Sequence, residues 1–254
     1  MKVDSLPAVV KNVIANYFEL PLGGQKVKCP YFMNLKKERA GLRVMIGKGS
    51  SEEIVHEAKV WAQLKGVNLN KMSESEIREF LTKRGIGIDC SGFVSYVLDE
   101  WFQILGKGHI WSNLKYNDNS VFSRFRRRLR PVENIGANLL TSELNCTKIQ
   151  KFGNIKPGDL IRAKGKQDRA HHVAIITDVY FGAKGNIEKF DYVHSHRFYE
   201  GENGVRIGSV IITDPKKELK DQDWQDAYKG RNYMLEDLLI DYKDNGIRRL
   251  RSLL

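Results

Sequence analysis

Asp89-Cys90-Ser91-Gly92-Phe93-Val94-Ser95-Tyr96-Val97-Leu98-Asp99-Glu100-Trp101-Phe102-Gln103-Ile104-Leu105 is the stretch on which the reading of the fold turns. Val94, Val97, Leu98, Trp101 and Leu105 step by three and four, which places them on one face of a helix. Phe93 and Phe102 widen that stripe, and Gly106-Lys107 closes it. A helix this apolar is expected to lie at the centre of the protein. Cys90 stands where a glycine-containing turn meets the start of that helix, where unpaired N–H groups and the positive end of the helix dipole favour a thiolate.

Upstream, Ser50 with Glu53 and Ser73 with Glu76 have capping-box spacing. They predict one helix running to Gly66 and another ending near Gly85. Downstream the grammar changes. Gly158 to Arg162, His172 to Phe181, Ile187 to Phe198 and Val205 to Thr213 read as strands. Gly182 to Asn186 and Glu200 to Gly204 read as hairpin connections between them. From Trp224 onward the chain is expected to be helical, with Met234, Leu235, Leu238 and Leu239 as the apolar face. Helices first and an antiparallel meander second predict an α+β fold. The expected organisation is an N-terminal helical extension over 1–85, either separate or part of the same domain, and a catalytic domain over 86–254.

Alternation along the second strand puts His172, Ala174 and Ile176 on one face and His171, Val173 and Ile175 on the other. The next strand carries Tyr192, His194 and His196 on one face, so a hairpin brings His172 beside His194. A thiol, an imidazole and a polar third residue are the parts needed for acyl transfer through sulfur. His196 competes with His194 for the third place, and His172, His194 and His196 together could instead hold zinc. No Cys-x-x-Cys or His-Glu-x-x-His spacing supports the metal reading.

Four blocks carry a resemblance: Asp89-Cys90-Ser91-Gly92-Phe93-Val94, Pro157-Gly158-Asp159-Leu160-Ile161, His172-Val173-Ala174-Ile175-Ile176 and Tyr192-Val193-His194. In content and order they resemble the NlpC-type cysteine peptidases, papain-like bacterial enzymes that cut amide bonds in peptidoglycan stem peptides, often beside γ-linked D-glutamate. The resemblance implies a papain-like fold, Cys90 as nucleophile, His172 as base, His194 as third polar residue, and Asp89 and Ser91 as substrate contacts. It implies Tyr31, in Pro30-Tyr31, as a contact for the substrate amine, although two expected helices separate it from the Cys90 block. It implies no metal or organic cofactor, and a peptide or muropeptide as the partner. The wall-binding repeats common in that family are not found in this sequence.

The 254 residues are 41% hydrophobic, which excludes wholesale disorder. No apolar run is long enough for a transmembrane helix, and three cysteines do not make a disulfide framework. Cys29, Cys90 and Cys146 are expected to be free thiols, with Cys29 and Cys146 as packing residues. The first residues, interrupted by Asp4 and Lys11, make a poor secretory signal, so the expected location is the cytoplasm, or outside by a route the sequence does not display. The net charge of +11 favours acidic partners. Arg124, Arg126, Arg127 and Arg128 are candidates for contact with an anionic polymer, or simply a solvated helix face. No recognised nucleic-acid module accompanies them, so no stable nucleic-acid partner is expected. Two other functions compete with wall hydrolysis: an intracellular amidase, acyltransferase or toxin-like effector with the same Cys–His chemistry, and a basic nucleic-acid or membrane-surface binding protein on an inactive scaffold.

Overall fold

The computed structural model describes residues 2–33, 42–118, 120–164, 171–197, 199 and 202–254. The first half is mostly helical: β1 (Lys2–Ser5), α1 (Ala8–Phe18), the hairpin β2 (Leu20–Leu22) and β3 (Gln25–Val27), α2 (Ser51–Leu64), α3 (Glu74–Lys83) and α4 (Cys90–Ile104). Short helices α5 (Ile110–Asn113), α6 (Val121–Leu129) and α7 (Ala137–Leu140) follow. The second half holds β4 (Cys146–Lys148), β5 (Leu160–Lys164), β6 (His171–Phe181), β7 (Ile187–His196), β8 (Gly204–Ile211), β9 (Asp223–Trp224), α8 (Tyr233–Ile240) and β10 (Gly246–Leu250). This is the expected α+β class, helices leading and an antiparallel sheet following.

Local chemistry explains the helix starts. Ser50 and Ser73 each accept a hydrogen bond from the backbone of the glutamate three residues on, and each glutamate returns to the cap nitrogen. Such a cap stabilises a helix by about 1 kcal/mol. Asp89 caps α4 through Gly92 N–H at 2.6 Å. Gly92 is required there, because a Cβ would stand 2.7 Å from the Gly47 carbonyl oxygen.

The sheet runs β4-β10-β5-β6-β7-β8-β9, with every neighbouring pair antiparallel. β6 is the long central strand. Its first half pairs with β5, and its second half pairs on the same edge with β1, Lys2 opposite Phe181. One face of the sheet carries Leu160, Val173, Ile175, Val193 and Val205, packed in one core with Val94, Val97 and Leu98 of α4 and with α1 to α3. The other face carries Ala174, Ile176, Phe190, Tyr192 and Val210, covered by Trp224, Met234 and Leu238. α4 is therefore central: Phe93, Val94, Val97, Leu98 and Phe102 are fully buried.

Several expectations change in detail. The described residues among 2–85 supply β1 to the main sheet, add the β2–β3 hairpin, and share one core with α4. The region from Trp224 is not continuously helical. Trp224 pairs with Val210 in β9, the helix is confined to Tyr233–Ile240, and β10 inserts between β4 and β5. Within that helix Met234 and Leu238 are buried, but Leu239 faces solvent. β10 reads poorly as a strand because it carries Arg248 and Arg249, which are covered through pairing with Asp244 and Asp159. Arg124, Arg126 and Arg128 on α6 are exposed, whereas Arg127 turns inward over the Tyr116 ring, 4.3 Å from its centroid. Phe198 of the expected third strand and Glu200 and Gly201 of the second hairpin loop lie outside the described residues.

Candidate active site

The candidate site consists of two clusters, linked where the start of α4 rests on the backbone of β6. The first surrounds the sulfur. Cys90 is the first residue of the helix and is 6% exposed. Its Sγ lies 3.9 Å from the carbonyl oxygen of His171, on the residue before His172, and the Val173 N–H donates to it from the residue after. The sulfur thus rests on the backbone that flanks His172. Behind it Lys48 is buried, and its ammonium donates to Asp89 Oδ1 at 2.9 Å, Ser91 Oγ at 2.5 Å and the Ile135 carbonyl at 2.8 Å. Three acceptors satisfy the three donors of the ammonium, which is what a buried lysine requires. The loop carrying Lys48 is pinned by Tyr96, whose hydroxyl donates to the Lys48 carbonyl at 2.8 Å, and by Tyr17, which donates to the Gly49 carbonyl at 3.1 Å.

Tyr31 belongs to this cluster. Ile88 N–H donates to the Pro30 carbonyl at 3.1 Å, and Tyr31 forms a parallel bridge with Ile88, which sets the Pro30-Tyr31 segment beside the Cys90 turn. Burial, followed by the nearness of Cys90 and Asp89, holds the Tyr31 hydroxyl well above its ordinary value, so it is a neutral donor.

The second cluster is imidazole. His172 Nε2 and His194 Nδ1 are 2.8 Å apart, and His194 Nε2 lies 3.0 Å from Asp226 Oδ2. Asp226 is enclosed: the Tyr199 hydroxyl donates to Oδ2 at 2.9 Å, and Arg206 donates twice to Oδ1 at 3.1 Å. Burial acts to raise its carboxyl, but His194, Arg206 and Tyr199 together bring it below the usual range, so it is a carboxylate at neutral pH. Gly208, opposite Tyr192 in the β7–β8 ladder, leaves room for that ring, which stands edge-to-face with His194; a Cβ at Gly208 would stand 2.3 Å from the ring.

The proton positions follow from this line, assigned through the hydrogen-bond network. A carboxylate only accepts, so His194 Nε2 carries the hydrogen. In neutral His194 the Nδ1 then accepts, so His172 Nε2 donates, and the lone pair of His172 is left on Nδ1. His196 is on the same face, its ring centroid 4.6 Å from that of His172, but its Nε2 turns to Asp237 at 3.5 Å. Between the two rivals, His194 is the one hydrogen-bonded to His172. Among the described residues, no group of three or more His, Cys, Asp and Glu side chains is arranged to hold a metal ion.

Charge states differ from the expectation of an ionised sulfur. Burial pushes the Cys90 thiol up to about 12, Asp89 adds to the rise, and Lys48 with the Val173 and Ser91 N–H groups offsets only part of it. Burial, with His196 and His194 nearby, holds His172 well below its ordinary value. At rest the thiol and the imidazole are both neutral, and the hydrogen-bond contacts of the sulfur are with the backbone on either side of His172 rather than with its ring. The dipole of a helix N-terminus contributes about 0.3–1 kcal/mol, which is too little to overcome this burial. Cys29 and Cys146 are free and buried, as expected of packing residues.

Sequence reasoning missed Asp226, Arg206, Tyr199 and Lys48. Arg206 was within reach, since it stands directly opposite His194 in the β7–β8 register. Asp226 follows a two-residue strand, and Lys48 sits in Gly47-Lys48-Gly49; neither has a periodicity to mark it. No family model matches the chain, and no curated protein or solved structure does so either.

Proposed function

We propose that the protein is a cysteine hydrolase of amide bonds, with Cys90 as nucleophile, His172 as base and His194 as the residue that orients it. The observations carrying this reading are the unbroken line Asp226–His194–His172, which fixes the tautomer of His172, and the seat of the Cys90 sulfur on the backbone of the two residues that flank His172. A buried row of polar groups costs stability unless each is partnered, and here each is. Its arrangement suits one task, holding an imidazole in a single tautomer.

The reaction runs from neutral partners. Cys90 Sγ–H passes its proton to His172 Nδ1 as the sulfur bonds to the substrate carbonyl carbon. The His172 cation is stabilised through His194 by the Asp226 carboxylate. The N–H of Cys90, in the first turn of α4 and without an intrahelical acceptor, is available to the oxyanion. His172 then gives the proton to the leaving nitrogen as the C–N bond breaks. Water hydrolyses the thioester, His172 takes the water proton, and the departing sulfur recovers it. Asp89, Ser91 and Tyr31 edge the sulfur and supply polar contacts for the substrate. Peptidoglycan stem peptides with γ-D-glutamyl linkages are the proposed substrates, on the strength of the sequence resemblance.

The test is a set of defined muropeptides read by mass spectrometry. Wild type is expected to release fragments, while Cys90→Ala and His172→Ala lose about 10⁴-fold or more and keep unfolding free energies within about 2 kcal/mol of wild type. Cleavage that survives in Cys90→Ala would refute the mechanism. A wild type that leaves every muropeptide intact but becomes acylated at Cys90 by an activated acyl donor would transfer the proposal to an amidase or acyltransferase with another substrate.

A further inference from the structure

We propose that α6 is a membrane-docking helix and that the surface it fits is an anionic lipid bilayer. At 100° per residue, the side chains of this helix sort by direction. Val121, Phe122, Phe125 and Leu129 fall within one arc of about 100°. All four are exposed, at 83%, 75%, 61% and 65%. Ser123, on the opposite side, is buried, and its hydroxyl donates to Asp118. Arg127, also inward, donates to the Asp118 carbonyl at 2.7 Å and covers Tyr116. The helix is therefore attached to the protein by its polar side and turns its apolar side outward. This inverts the pattern of α2, whose Ile54, Ala58 and Ala62 are buried.

The cations complete the pattern. Arg124 and Arg128 border the apolar arc on one side and Arg126 on the other, all three exposed and none in an ion pair with another described residue. A soluble polyanion such as a nucleic acid would meet the arginines and leave two phenylalanines in water. A neutral apolar groove would bury the phenylalanines and leave the arginines unpaired. An anionic bilayer supplies acyl chains for the first group and phosphates for the second. The net charge of +11 acts in the same direction at longer range. A helix this short gives reversible, salt-sensitive docking rather than anchoring.

The test uses the full chain with sedimented vesicles, either phosphatidylglycerol mixed into phosphatidylcholine or phosphatidylcholine alone. Wild type is expected to sediment with the mixed vesicles at low salt and to stay in solution with the neutral ones. Arg124→Gln, Arg126→Gln and Arg128→Gln are each expected to weaken the partition about fivefold. The pair Phe122→Ser and Phe125→Ser, made together, is expected to weaken it by about tenfold or more; both residues are exposed, so the fold is retained. Wild type that ignores the anionic vesicles overturns the proposal. So does a phenylalanine variant that binds them as well as wild type, since charge alone would then suffice and a polyanion would be the partner. Self-association without vesicles, abolished by the same two substitutions, would overturn it in favour of a second copy of the chain.

Discussion

The two halves of the candidate site are built by opposite routes. The imidazole half comes from consecutive strands: His172 on β6, His194 on β7 and Arg206 on β8, with Asp226 arriving just after β9. The sulfur half gathers Tyr31, Lys48 and Ile135 from three separate turns around Asp89 and Ser91 at the start of α4. Each half holds one buried ion pair, Asp226 with Arg206 in the first and Lys48 with Asp89 in the second. Asp226, however, is hydrogen-bonded along the line to His172, the proposed base, whereas Lys48 ties backbone segments together. Damage to the first half should therefore appear in chemistry, and damage to the second in folding.

The largest effect should come from Asp226→Asn. An amide can donate to His194 Nε2, which drives the hydrogen onto His194 Nδ1 and makes His172 Nε2 the acceptor, so the His172 proton moves to the nitrogen meant to receive one. The turnover number should fall about 10⁴-fold, with the folded state intact by circular dichroism. A variant that keeps a tenth of wild-type turnover would mean that the line does not set the tautomer. Next is Lys48→Met, which leaves the Asp89 carboxylate buried without its cation and should cost about 3 kcal/mol of unfolding free energy by urea titration. Arg206→Met should cost less, about 1–2 kcal/mol, because Asp226 keeps His194 and Tyr199. The reverse order would break the contrast between a positioning half and a structural half.

The pH dependence of stability sharpens the same contrast. His172 and His196 are held below the ordinary 6.5 in the folded state, so their neutral forms are favoured there. Their contribution is present above that pH and is lost as the pH falls and the unfolded chain takes up protons. The thiol of Cys90 is held above the ordinary 9.0, at about 12, so its contribution is present below 9.0 and is lost as the pH rises toward 12. Cys146 behaves in the same way. Urea midpoints should be level between these limits and decline on both sides. A midpoint still rising below pH 6 would contradict the buried neutral imidazoles.

The smallest effect concerns alkylation at neutral pH. All three thiols should react with iodoacetamide more slowly than free cysteine, because burial holds them protonated. Cys90, at 6% exposure against 2% for Cys146 and none for Cys29, should react first. Peptide mapping of the label over time checks the order. Faster reaction at Cys90 than at free cysteine would show an ion pair already formed at rest.

What could be read beforehand divides along the same line. The stripe on α4, both capping boxes and the alternation that pairs His172 with His194 are periodic or local signals, and each reappears in the structure. The sulfur half was legible in Asp89 and Ser91, which sit in the turn itself, and in Tyr31 only through resemblance. Lys48 was not legible, because its role depends on Gly47 and Gly49 bringing an otherwise ordinary lysine under the turn. The ionisation of Cys90 was misjudged for a related reason. A helix dipole is visible in sequence, whereas desolvation depends on how many distant segments close over the atom.

The placement of β1 bears on when this molecule can form. Ser5 and its partner Asp178 are 173 residues apart, and β1 completes the edge of β6 that β5 leaves open. On the ribosome, β1 emerges long before the strand it must join has been translated. Such distant pairing slows folding, and β1 cannot join the sheet until β6 has been translated. The usual vectorial order, amino-terminal parts settling first, is reversed here, and a nascent chain must carry its first strand unpaired until β6 arrives.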